Sequence, residues 1–140
     1  MANFHINDLD GFMLDLEAAA ELPDEVAEEM LLAEAESVEE AQIYTGMKRG
    51  VHRTGVTLYS ITHGKMKRGK DGDRVMHVYP GGVNEDGNRN AEVAFINEFG
   101  APDRRIDARP FIYTANEEAA DAAVDAAAEV YDKFLKTQNL

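Results

Sequence analysis

Apolar positions near the start of the chain recur at helical intervals. Leu9, Phe12, Met13 and Leu16 follow the i, i+3, i+4, i+7 spacing of one helix face, with Asn7 or Asp8 placed to cap it. Leu22-Pro23-Asp24 interrupts the pattern, and a second helix is expected from there to about Met47. Pro23 suits its first turn, and Asp24, Glu25, Glu28 and Glu29 lie where the helix dipole is positive. Lys48 and Arg49 favour the opposite end, and Gly50 is placed to terminate it. The buried stripe reads as Val26, Met30, Ala33, Ser37, Ala41 and Tyr44, mostly small residues that let a partner element lie close.

Downstream the period shortens. Thr54 is placed to cap a single turn that carries Leu58 and Ile61 inward, and Ile61 to Met66 then runs extended. Residues 67–73, rich in Gly, Asp and Lys, read as a turn, and Arg74 to Tyr79 as a second strand of an antiparallel hairpin. Pro80-Gly81-Gly82 stops that strand and opens a polar loop over 81–90, expected to be mobile. Val93, Phe95, Ile96 and Phe99 fit either a strand or a short helix, and the strand is preferred. Gly100-Ala101-Pro102 breaks the segment. Pro110 or Thr114 then starts a last helix, Glu117 standing three residues after Thr114 in the spacing of a capping box. Ala119, Ala122, Ala123, Ala126 and Ala127 form its ridge, continued by Val130, Phe134 and Leu135.

This order predicts an α+β fold, with a small antiparallel sheet and its β-hairpin packed against N-terminal helices and a long C-terminal helix. The chain is expected to be one domain over 1–140. It comprises an acidic helical part (1–48), a sheet part with a basic hairpin (50–100) and a C-terminal helix (109–137). A length of 140 residues can bury a core without disulfide or metal support.

Charge changes the picture more than composition does. Residues 1–47 hold thirteen Asp and Glu and no Lys or Arg, residues 48–90 hold nine basic against four acidic, and residues 91–140 five basic against ten acidic. A net charge of −13 argues against general nucleic-acid binding, which needs clustered cations to displace counterions. One basic zone between two acidic ones favours association between unlike surfaces. With no cysteine, disulfides, thiolate metal sites and cysteine nucleophiles are excluded. The N-terminus lacks a basic leader region and no apolar run is long enough to span a bilayer, so a soluble chain without membrane contact is expected.

Catalytic constellations are not found. His63 and His77 face each other if the hairpin is centred on Lys70, but two histidines need a third ligand to hold zinc, and no carboxylate stands beside them in the sequence. His5 and His52 have no partner. Asn84, Asp86, Asn88, Asn90 and Glu92 alternate like a calcium loop, yet Arg89 stands where its glycine belongs and Phe95 where its bidentate Glu belongs. Neither GxxxxGK[ST] nor GxGxxG occurs, and Ser60 has no nucleophile-elbow context. The Glu residues of the second helix read as a solvated face. No enzymatic activity, cofactor or metal is therefore expected.

Three short signatures remain. They are Thr54-Gly55 followed after two residues by Leu58 and then Ser60-Ile61, next Ile96-Asn97-Glu98-Phe99-Gly100, and last Ala108-Arg109-Pro110-Phe111. In this order, over about residues 24–136, they resemble the small head–tail joining or tail-completion proteins of long-tailed phages, the gene-product-ten-like family. The connector 101–107 departs from the family pattern in carrying Arg104 and Arg105 where small and polar residues are usual. Gly55 and Gly100 are expected to permit unusual backbone angles, Phe99 and Phe111 to anchor the core, and Glu98 to pair with Arg109.

The resemblance implies a homo-oligomeric ring, six copies in the family's manner, in the virion neck. Its partners there would be the tail-tube protein and the head connector, with genomic DNA passing unbound and synthesis in the host bacterial cytoplasm. On the charge map, the ring contact is expected between the basic hairpin (Lys65, Lys67, Arg68, Lys70, Arg74) and an acidic helix of a neighbour. Two other readings are an acidic DNA mimic that inhibits a nucleic-acid-binding protein, and a small metal-binding protein.

Overall fold

A computed structural model describes residues 22–51 and 55–138. The expected first helix, together with Thr54, His5 and His52, lies outside the described residues. In order, the elements are α1 (Asp24–Lys48), α2 (Val56–Tyr59), β1 (Ile61–His63), β2 (Lys67–Arg68), β3 (Arg74–Val75), β4 (Val78–Pro80), α3 (Asn90–Phe99), a 3₁₀ turn (Pro102–Arg104) and α4 (Phe111–Thr137). The fold is α+β, as the patterning predicts. The described residues divide into two compact units: the first holds 22–37, 65–77 and 120–138, the second 38–51, 55–64 and 78–119.

Within the first unit, the opening turns of α1 pack against the closing turns of α4. Leu22, Ala27, Met30 and Leu31 meet Ala127 and Tyr131, and Met66, Met76, Val124 and Phe134 complete the cluster. Asp24 and Glu25 occupy the first turn of α1, where their charges oppose the dipole's positive end. The β2–β3 ladder belongs to this unit and pairs Lys67 with Val75 and Arg68 with Arg74.

The second unit is built on a core of Val51, Leu58, Ile61, Ala94 and Phe111, with Ile43, Val78 and Ile112 packed against it. Helix α1 ends here in a paired C-terminal cap. Val51 N–H donates to Gly46 O at 2.8 Å and Gly50 N–H to Met47 O at 3.2 Å, with Gly50 at φ 79°. The apolar Val51 is thereby delivered into the core at 5% exposure. Gly46 makes that closeness possible, since a Cβ there would fall 2.3 Å from Leu58 Cδ2 and 3.2 Å from Phe111 Cδ2. Strands β1 and β4 pair antiparallel, Ile61 with Pro80, Thr62 with Tyr79 and His63 with Val78.

Four expectations need correction. The hairpin is two short ladders and not one, because three residues (64–66) separate them on the first strand and two (76–77) on the second. That one-residue mismatch shifts the register, as a bulge does. His63 therefore faces Val78, and Lys67 and Arg68 belong to a strand instead of the turn. Second, residues 90–99 form a helix: Asn90, Ala94 and Glu98 are buried at four-residue spacing, while Phe95 and Phe99 project from another face. Third, the buried face of α1 is Ala27, Met30, Leu31, Ala35, Gln42 and Thr45, and Tyr44 is 63% exposed. Small residues at 33, 35, 37 and 41 leave the choice of face to the partner helix, where Gln42 donates to Asn116 Oδ1 at 2.9 Å. Fourth, Thr114 caps nothing; its hydroxyl donates to Pro110 O at 2.6 Å inside α4, whose buried ladder is Phe111, Ala115, Ala119, Ala123, Ala127 and Tyr131.

Candidate functional site

The three signatures are local instructions that the second unit brings together. Gly55, at φ 79°, precedes the single turn α2 and lets the chain reverse so that Leu58 (1% exposed) and Ile61 (6%) enter the core. Ser60 Oγ donates to Thr57 O at 2.6 Å and closes that turn, and Gly81 N–H donates to Ser60 O, tying it to the end of β4. Thr57 Oγ1 donates to Asn90 Oδ1 at 3.3 Å, and Asn90 Nδ2 donates to Gly81 O at 2.8 Å. A buried amide thus links α2, β4 and the first turn of α3, satisfying polar groups whose burial would otherwise be costly.

The second and third signatures meet at the start of α4. The two carboxylate oxygens of Glu98 accept from the backbone N–H groups of Ile112 (2.8 Å) and Tyr113 (2.9 Å). These are first-turn donors with no partner inside the helix, and a negative charge there also opposes the dipole. Glu98 does not pair with Arg109. The Arg109 guanidinium instead donates from Nη1 to Gly50 O at 3.0 Å, at the end of α1. Pro110 precedes the helix and supplies no N–H where none is needed.

Gly100 has φ 75° and ψ 179°, and a Cβ would lie 2.7 Å from Ile106 O and 2.8 Å from Ala108 N. Only glycine fits that position. Phe111 is a core anchor, fully buried. Phe99 is not: it is 65% exposed, its ring centroid 4.7 Å from that of Phe95, because the helix puts both on the outer face.

The basic hairpin residues lie in the first unit. Arg68 Nη2 donates to Asp24 Oδ1 at 2.5 Å, and Arg74, nearly buried, donates from Nη2 to Leu22 O at 2.9 Å with its Nε 3.1 Å from the same carboxylate. The hydrogen bond from Arg68, with the charges of Arg68 and Arg74, holds the Asp24 carboxyl below its usual pKa. Two of the five expected contact residues are therefore held within their own chain, by the acidic helix beside them. Lys65, Lys67 and Lys70 are exposed.

Three features escaped sequence reasoning. His63 Nδ1 lies 2.6 Å from Glu39 Oε1, a carboxylate brought from α1, twenty-four residues away. No group of three or more His, Asp or Glu positioned for a metal occurs among the described residues. Asn84 closes the 81–90 segment into a turn: its side-chain oxygen accepts from Asp86 N–H (3.0 Å) and Asn88 N–H (2.9 Å). Glu34, in the first unit, has Oε2 buried without a hydrogen-bond partner, and burial raises its pKa to about 8. The nearest sequence signal for Glu34 was its place among alanines at 33 and 35.

Among the described residues no helix is long and apolar enough to cross a membrane. Set against protein-family models, curated proteins and solved structures, the chain matches none.

Proposed function

We propose that this chain is a structural virion protein of a tailed phage. In this reading it forms a ring, six copies in the manner of the gene-product-ten-like proteins, at the head–tail junction. The ring completes the tail, joins it to the head connector and lets the genome pass, and the protein performs no catalysis. The observation that carries the reading is the interlocking of the three signatures. Glu98, from the second, caps the helix opened by Arg109-Pro110-Phe111, and Phe111 packs in one core with Leu58 and Ile61 of the first. Residues as far apart as Leu58 and Phe111 thus serve one substructure.

The test is mass in solution together with negative-stain microscopy, with and without purified tail tubes. Discrete rings, free or at tube ends, are expected. A strict monomer that ignores tubes and connectors and instead binds a nucleic-acid-processing enzyme overturns the proposal.

That second outcome corresponds to the acidic DNA-mimic reading, which one observation favours. Within the first unit, Asp121, Asp125 and Glu129 are exposed at four-residue steps along α4, a row of carboxylates about 6 Å apart along the helix.

A further inference from the structure

Two faces of the first unit look into water and carry opposite charge. On α4 the buried side is Ala123, Ala127 and Tyr131, the last two packed against the start of α1. At about 3.6 residues per turn, Asp121, Asp125 and Glu129 project roughly 160° around the helix from that side, with Asp132 beside them. All four carboxylates are exposed and none has an ion-pair partner among the described residues. No Lys or Arg interrupts α4 before Lys133.

The β2–β3 ladder sorts its side chains in the same way. Strand alternation puts Arg68 and Arg74 on the face they share with Met66 and Met76, turned to the first unit's core and to Asp24. Lys65 and Lys67 are exposed on the opposite face and Lys70 at the turn, and none of the three has an ion-pair partner among the described residues. Asp71 and Asp73 also lie at the turn, but residues 65–77 hold five Lys and Arg against these two carboxylates. The hairpin therefore stays positive after Asp24 has engaged Arg68 and Arg74. The lysine face and the α4 row both point away from the core that their elements share, so a chain cannot close one onto the other within itself. A second copy can. Lys65 and Lys67 have Cα atoms at most about 7 Å apart, close to the step of about 6 Å between carboxylates on α4. Helix α1 is the poorer target, because its first turn already lies against its own hairpin, whose Arg68 would repel an incoming one.

We infer that the Lys65–Lys67 face of the hairpin docks on the Asp121–Asp125–Glu129 row of α4 in a second copy of this chain. The inference rests on the ring reading above and names the two surfaces that meet. Because they lie on different sides of one core, a two-fold pair cannot engage both at once. Each copy offers one surface to either neighbour, and such a head-to-tail series closes as a ring. Arg68 and Arg74 position the hairpin from its inner face and take no part in the contact.

The test uses two charge-reversed full-length chains, K65E/K67E and D121K/D125K, with E28K/E29K on α1 as a third, each checked by circular dichroism for an unchanged fold. All six positions are exposed. Light scattering after gel filtration should show the wild type and E28K/E29K as the same oligomer. K65E/K67E and D121K/D125K alone should each run at the subunit mass of 15.5 kDa, or associate at least tenfold more weakly. Their equimolar mixture should recover the wild-type mass, because in an alternating ring of even number every contact again joins opposite charges. Retention of the wild-type mass by either variant overturns the proposed contact and leaves the ring intact as a reading. A mixture that stays at subunit mass, or an E28K/E29K chain that dissociates, also overturns it. A wild type that never assembles, alone or on tail tubes, overturns both.

Discussion

Glu34 offers a direct measurement of how the first unit is built. Its Oε2 is buried in α1 with no hydrogen-bond donor, and its pKa is raised by burial from 4.5 to about 8. Between those values the native chain holds a proton that the unfolded chain has released. The native state therefore binds more protons, and stability must fall as pH rises through this window. At about 1.4 kcal/mol per unit of pKa, a shift from 4.5 to about 8 sets a ceiling on the order of 5 kcal/mol, and water reaching the half-buried side chain lowers the realised loss to about 2–3 kcal/mol. That is a large share of a typical domain stability of about 5–15 kcal/mol. Glu34→Gln removes the ionisation and keeps the shape. Urea unfolding followed by circular dichroism, from pH 5 to 8.5, should give nearly coincident midpoints for the two proteins at pH 5. By pH 8 the wild type should lie about 1–2 M lower, given an m-value of roughly 1–3 kcal/mol/M. A midpoint difference that does not change with pH, or a wild-type midpoint that stays level from pH 5 to 8.5, refutes the argument.

Other consequences can be measured on the same protein. Glu98→Ala strips both charge-assisted hydrogen bonds from the start of α4 and should cost about 2–4 kcal/mol in urea unfolding; no loss would mean that water replaces the cap. Gly100→Ala combines a left-handed φ with backbone atoms 2.7 and 2.8 Å from the new Cβ, and should destabilise by more than about 3 kcal/mol or prevent folding. Gly46→Ala places a methyl 2.3 Å from buried Leu58 Cδ2, and its melting temperature should fall by several degrees, consistent with an overpacking cost of about 1–3 kcal/mol. Phe99→Ser, at an exposed position, should leave the melting temperature within a degree or two.

The hairpin shows where local reasoning stopped. That a turn lies near residue 70 followed from Gly, Asp and Lys in a row, but which residues face each other depended on how many residues lie between the two ladders, and there Met66 and Met76 turn into the first unit's core. Phe99 illustrates the same limit. Four apolar residues in ten fit a strand or a helix equally, and the helix prevails because it buries Asn90, Ala94 and Glu98 together, each with a definite use. The paired roles of Glu98 and Arg109 were misassigned for a related reason. Charge suggested an ion pair, while unsatisfied N–H groups at a helix start and a free carbonyl at a helix end offered each side chain a backbone partner instead.

By itself, the sequence determined the α+β class, the two long helices, the acidic start and glycine end of α1, and the places of Gly55, Gly100, Pro110 and Phe111. These follow from backbone sterics, dipole ends and helical period, which act over a few residues. Tertiary structure alone decided the strand register, the buried face of α1, the outward turn of Phe95 and Phe99, and which charges remain free. Those outcomes turn on partners 24 to 74 positions away: Glu39 for His63, Asp24 for Arg68, Asn116 for Gln42. Only packing brings such groups within reach of one another, and it is packing that leaves the two phenyl rings of α3 exposed.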